Sequence, residues 1–174
     1  MKKPRLYFLL LLTLTLSCSD DDDENARRIS ITEDDRAFVL AAADEGLFQI
    51  SAGQLALENQ ASKDYADFAQ LMIDGYTKSN DELKAFAADK DLTIPNTISD
   101  ERQQALDSLA SRKMVAFDTT YAATMVAMHT NTISFFEAQA GTVSDNALKS
   151  WINGKIPVLR SYLEQAKALS KSPQ

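Results

Sequence analysis

Few side chains in this 174-residue chain could do chemistry: it holds one cysteine, Cys18, and one histidine, His129. A single Cys excludes a disulfide framework and a cysteine-based zinc site. A single His excludes any centre with several imidazole ligands, including the usual two-histidine di-iron site of helical bundles. No phosphate loop, dinucleotide fingerprint or zinc-protease motif is present. Asp118 precedes His129 by eleven residues, about 16 Å along a helix, too far to share a metal. Glu45 and Gln49 stand four apart and read as a polar contact or as half of a carboxylate site. Met114, Met125 and Met128 read as packing, not copper ligation. The sequence therefore implies no metal, no cofactor and no assembled catalytic set.

Cys18 carries a different chemistry. Met1–Arg5 is basic, and Leu6–Leu16 is continuously apolar or Thr. As a helix that stretch reaches about 16 Å, half of a hydrocarbon core, so it reads as a signal-peptide core and not a membrane span. It ends Leu14-Thr15-Leu16-Ser17-Cys18, which resembles a lipoprotein signal cleaved before Cys18 and lipidated on its sulfur. Ser19 and the acidic run Asp20–Glu24 follow. That run reads as a self-repelling tether, and it also resembles the acidic signal that carries some lipoproteins to the outer face of the outer membrane. The expected organisation is a leader over residues 1–17, an anchored tether over 18–31 and a folded domain over 32–171. Losing Lys2, Lys3 and Arg5 with the leader takes the formal charge from −7 to −10. So acidic a chain would be repelled by nucleic acid.

The domain must be helical. Apolar residues make up 45% of the chain, while Gly and Pro number only 5 and 4, which disfavours a sandwich or barrel. The spacing predicts helices over about Glu33–Asn59, Ser62–Lys90, Asp100–Ser111, Met114–Ala140 and Asp145–Leu169. Thr32, and Ser99 or Asp100, are suited to capping, Ser144 with Asp145 to opening the fifth helix, Gly141 to stopping the fourth, and Pro157 to kinking or breaking the fifth. Very short loops make helices one and two, and four and five, antiparallel hairpins. The long connection between the hairpins can run the length of the bundle and leave helices two and four parallel, a ferritin-like crossover; up-down-up-down is the alternative. Steps of 100° place Tyr65, Phe68, Met72, Tyr76 and Leu83 on one core face. Another takes Met114, Phe117, Tyr121, Met125, Met128, Thr132, Phe135 and Phe136, with Asp118 and His129 on its flank. Leu148, Trp151, Leu159, Tyr162 and Ala166 form a third. On helix one, Glu45 and Gln49 occupy the middle of a face of small residues, and Leu40, Leu47, Phe48 and Leu55 lie around other sides, so this helix should be covered on more than one side.

Across about Thr32–Ala168 the sequence resembles the bacterial domain-of-unknown-function family 4142, ferritin-like four-helix proteins that are often exported. The stretches carrying the resemblance are Gly53-Gln54-Leu55-Ala56, Met72-Ile73 with Thr77–Leu83, Phe117–Tyr121, His129, and Pro157-Val158-Leu159-Arg160 with Ala166-Lys167. The family pattern has Asp-His where this chain has Gly75-Tyr76, His where it has Tyr162, and Glu where it has Gln49. Neither Tyr nor Gln is a usual divalent-metal ligand.

These readings lead to an all-α, ferritin-like four-helix bundle with a short helix in its crossover. Inside it Gln49, Tyr76, His129 and Tyr162 are expected to meet as a closed, metal-free polar cluster with Glu45 nearby. The expected role is that of a membrane-anchored exported lipoprotein of the outer membrane, facing the cell surface or the periplasm. Its domain would be non-catalytic and would bind an envelope or extracellular partner. The alternative is a metal- or small-ligand-binding bundle, possibly redox-active, using Glu45 and His129.

Overall fold

Five helices account for nearly all of the described chain. A computed structural model describes residues 31–59 and 61–171. The helices are α1 (Glu33–Glu58), α2 (Lys63–Ala88), α3 (Asp100–Ala110), α4 (Met114–Thr142) and α5 (Asn146–Leu169). Their starts follow local chemistry. The Thr32 hydroxyl accepts from Asp35 N at 3.1 Å, Ser99 from Arg102 N at 3.4 Å, and the Asp145 carboxylate from Ala147 N and Leu148 N at 2.8 and 3.0 Å. Each satisfies backbone donors that the first turn leaves unpaired. Ser62 caps nothing with its own hydroxyl; instead its N–H donates to Asp118 on α4 at 3.3 Å.

The four long helices form the bundle, with α1 packed on α2 and α4, and α5 on α4 and α2. Phe38 near the start of α1 stacks on Phe135 and meets Phe136 edge-on near the end of α4, so these two helices run antiparallel. Phe68 meets Tyr121 and Tyr76 meets His129, in matching order along α2 and α4, so that pair is parallel. Tyr65 donates to Leu169 O, and Trp151 to Glu82, which sets α5 antiparallel to α2. The chain from α2 to α4 therefore travels the length of the bundle, as the ferritin-like crossover requires. On the way α3 lies against α1 and α4, covering a second side of α1.

One clasp closes the end where α1 begins. Asp35, 1% exposed, accepts from Ser144 N and Asp145 N at 2.9 and 3.0 Å, and Lys90 pairs with Asp145 at 2.7 Å.

Several expectations need correcting. Met114 is not core: it is 83% exposed and opens α4 with φ +52°, which turns its side chain away from the stripe that follows. His129 is fully buried, not flanking. Helix α4 passes Gly141 and ends at Thr142. Pro157 lies inside α5 without ending it. The carbonyl that its missing N–H leaves unpaired is that of Asn153, and Asn153, Gly154 and Pro157 all face solvent, where water can replace the lost bond. Ile152 and Leu159, both buried, hold the turns on either side.

Candidate functional site

Halfway along the bundle the core turns polar. On α1, Gln49 donates from Nε2 to Glu45 Oε1 at 2.8 Å, one helical turn back. The other Glu45 oxygen takes Arg102 of α3 at 2.5 Å, and Thr132 of α4 also hydrogen-bonds this carboxylate. Arg102 further contacts Asp44 Oδ2 at 3.8 Å and Met128 Sδ at 3.4 Å, and its guanidinium lies 5.4 Å from the centre of the Phe48 ring. Burial raises the pKa of Glu45, and Arg102, Gln49 and Thr132 oppose that shift without cancelling it.

The second group is aromatic. His129 Nδ1 lies 2.8 Å from Met125 O. A carbonyl only accepts, so Nδ1 carries the proton and Nε2 presents its lone pair. Tyr76 Oη therefore donates to Nε2, at 3.2 Å. Tyr162 packs against both rings, with centroids 6.0 Å from Tyr76 and 5.8 Å from His129. Burial lowers the pKa of His129, against the pull of the Met125 carbonyl, and keeps the imidazole neutral. Burial pushes the Tyr76 phenol well up, helped by the negative charge of Glu45, and it also raises that of Tyr162.

Two glycines make the arrangement possible. A Cβ at Gly46 would collide with the amide of Asn80, which donates to Ala43 O at 3.2 Å and ties α2 to the α1 backbone. A Cβ at Gly75 would collide with the Tyr162 hydroxyl. Gly75 thus gives Tyr162 room to enter between α2 and α5.

Four of the five expected interior residues are buried, and Tyr162 is half-buried. They do not form one closed set. Glu45 and Gln49 bond with Arg102 and Thr132, while Tyr76, His129 and Tyr162 stand as a separate aromatic group; the two meet where Glu45, Tyr76 and Tyr162 line one cleft. Gln49 Oε1 is left without a partner, as is the hydroxyl of the buried Tyr121. Cys18 lies outside the described residues. Arg102 could not be foreseen from the sequence, because nothing in the crossover signals that its third helical residue reaches a carboxylate 57 positions earlier.

Two openings meet at Glu45. On one side is the cleft of about 20 Å³, lined also by Asn80, Thr132 and Lys155, with space for about one water. On the other is a groove of about 420 Å³ between α1, α3 and α4, lined by Ala41, Glu101, Arg102, Asn131 and Phe135 among others. The donor chemistry does not suit a divalent cation. Glu45 is taken up by three partners and the His129 lone pair by Tyr76, and two phenols and an amide fill the remaining positions. Among the described residues no three His, Cys, Asp or Glu side chains gather to hold a metal, and no helix is long and apolar enough to cross a membrane.

A family model described as "Domain of unknown function (DUF4142)" matches residues 21–169. Neither a curated protein nor a solved structure matches the chain.

Proposed function

The chain belongs to the DUF4142 family, a domain of unknown function, and from that premise we propose that it is a membrane-anchored exported lipoprotein whose helical bundle is a non-catalytic binding module. One observation carries the binding role: a groove of about 420 Å³ that leads from solvent to the buried carboxylate of Glu45. Its innermost polar groups are already hydrogen-bonded to one another, so it is equipped to hold a molecule more than to activate one. The same groove favours the small-ligand form of the alternative reading over a metal or redox centre built on Glu45 and His129. The sequence supports the anchoring half, through the apolar leader, Cys18 and the acidic run at Asp20–Glu24. Two or more acyl chains on Cys18 would anchor the protein stably. The partner would be a component of the envelope or its surroundings.

Fractionation tests the anchor: wild-type protein is expected in membranes and Cys18→Ser in soluble fractions, and a variant retained in membranes overturns it. Elemental analysis of purified protein tests the rest. Stoichiometric iron, manganese or zinc would overturn the metal-free binding module. A pull-down from intact cells with the anchored form, repeated with the groove filled by Ala41→Trp, is expected to lose its partner in the variant.

A further inference from the structure

The inner end of the groove already holds a cation, the guanidinium of Arg102. Glu45, Asp44, Phe48 and Met128 surround it, and all four belong to the long helices α1 and α4. The cation alone comes from α3, an 11-residue helix with a single buried side chain, Leu109. A rigid cradle is thus filled from a lightly held element. Glu45 is 6% exposed, and a carboxylate so buried requires a positive partner. Beside the guanidinium the groove continues to solvent past Glu101, Asn131 and Thr132, over the rings of Phe135 and Phe136.

Charge selects the class of guest. Glu45 and Glu101 line the groove beside one Arg102, and Asp44 contacts that guanidinium from behind, so an anion entering the groove meets more negative than positive charge. A cation with a flat or apolar body meets carboxylates, aromatic faces and a thioether, the surroundings Arg102 itself has. We propose that the groove between α1, α3 and α4 binds a small organic cation, a guanidinium, amidinium or amine head on an apolar body, whose head replaces the Arg102 guanidinium against Glu45 and Asp44. One cation replaces another, so Glu45 stays paired throughout. Released Arg102 swings into solvent, and α3 is then held by Leu109, by the half-buried Leu106 and by the two bonds of Ser99 to Asp44, at 2.7 and 2.8 Å. Binding is thereby coupled to loosening of the crossover.

The inference rests on the binding-module reading, and three probes of one shape separate the two. Benzamidinium, benzamide and benzoate are nearly isosteric and carry positive, zero and negative charge. Full-length protein with ¹³C-methyl methionine reports through Met128, whose sulfur touches Arg102, with Met128→Leu giving the assignment. Benzamidinium is expected to shift the Met128 methyl and to bind about tenfold more tightly than benzamide, the usual gap between charge-assisted and neutral hydrogen bonding. Benzoate is expected to bind more weakly than either. Glu45→Gln should bring the first two together, and Arg102→Ala, which removes the internal competitor, should tighten benzamidinium. The wild-type series stands even if a variant fails to fold. Equal binding of benzamide or benzoate overturns the cation and leaves the binding groove standing. No shift of Met128 by any of the three overturns both.

Discussion

Between about pH 7.5 and about pH 5.5, above the range in which Glu82 and Asp145 take up protons, acidification should destabilise this protein through one residue. His129 is the only imidazole in the chain and is fully buried. Burial holds its pKa below the ordinary 6.5, so the folded protein refuses a proton that the unfolded chain accepts. The stability that results is fully present above the unfolded pKa and is lost as pH falls towards the depressed folded value. Between about pH 7.5 and about pH 5.5 the loss reaches about 1.4 kcal/mol if the folded imidazole takes up no proton. Glu45 works in the opposite sense. Burial raises its pKa above 4.5, so its contribution is full below that value and declines as pH rises through the folded pKa. The two are separated by urea melts of wild type and His129→Gln at both pH values, on protein free of any histidine tag. Glu45 and the terminal amine cancel in the difference between the chains. Wild type should lose about 1.4 kcal/mol more than the variant on acidification. Equal slopes in the two proteins, or folded imidazole resonances that titrate at 6.5 or above, would refute the buried neutral histidine.

Tyr76→Phe leaves the His129 Nε2 lone pair unpaired and should cost about 1–3 kcal/mol in urea or thermal melts, more than Tyr162→Phe, whose hydroxyl lies over Gly75. Gly75→Ala places a methyl against that hydroxyl and should cost about 1–3 kcal/mol as overpacking; the double variant with Tyr162→Phe should recover most of it, and a double variant no more stable than Gly75→Ala would show that the contact is not the cause. Replacing Asp20–Glu24 with Ser and Ala should reduce cleavage of the domain by protease added to whole cells while Cys18 stays lipidated, and unchanged cleavage would reduce the run to a spacer.

Local chemistry was readable from the sequence and distant pairing was not. Thr32, Ser99 and Asp145 announce helix starts because a cap acts over three residues. The crossover follows from loop lengths. Tyr76 and His129 share a level in the core because the resemblance aligned them and helical phase turned at least Tyr76 inward. Met114 was misread because a stripe extrapolated to the first helical residue takes no account of a left-handed φ there. His129 seemed to flank its helix because α4 is apolar on most sides, so phase alone does not identify the deepest face. The closed cluster failed for a geometric reason: the Tyr162 phenol is spent on the space over Gly75. Asp35 is a first-turn acid of the kind the helix dipole favours, and nothing local shows that its carboxylate binds the backbone just ahead of α5, more than a hundred residues away.

That clasp also decides how the domain would take a mechanical load. A pull on the chain before Ile31 enters the fold at Thr32, three residues from Asp35. There the carboxylate grips the start of α5, and Lys90 at the end of α2 grips Asp145. Tension is therefore shared at once among three helices at one pole, and α1 cannot be peeled from the bundle turn by turn until those charged contacts part. The entry point of such a force is thus a corner where contacts from α1, α5 and the end of α2 converge, which suits the N-terminal anchor proposed above.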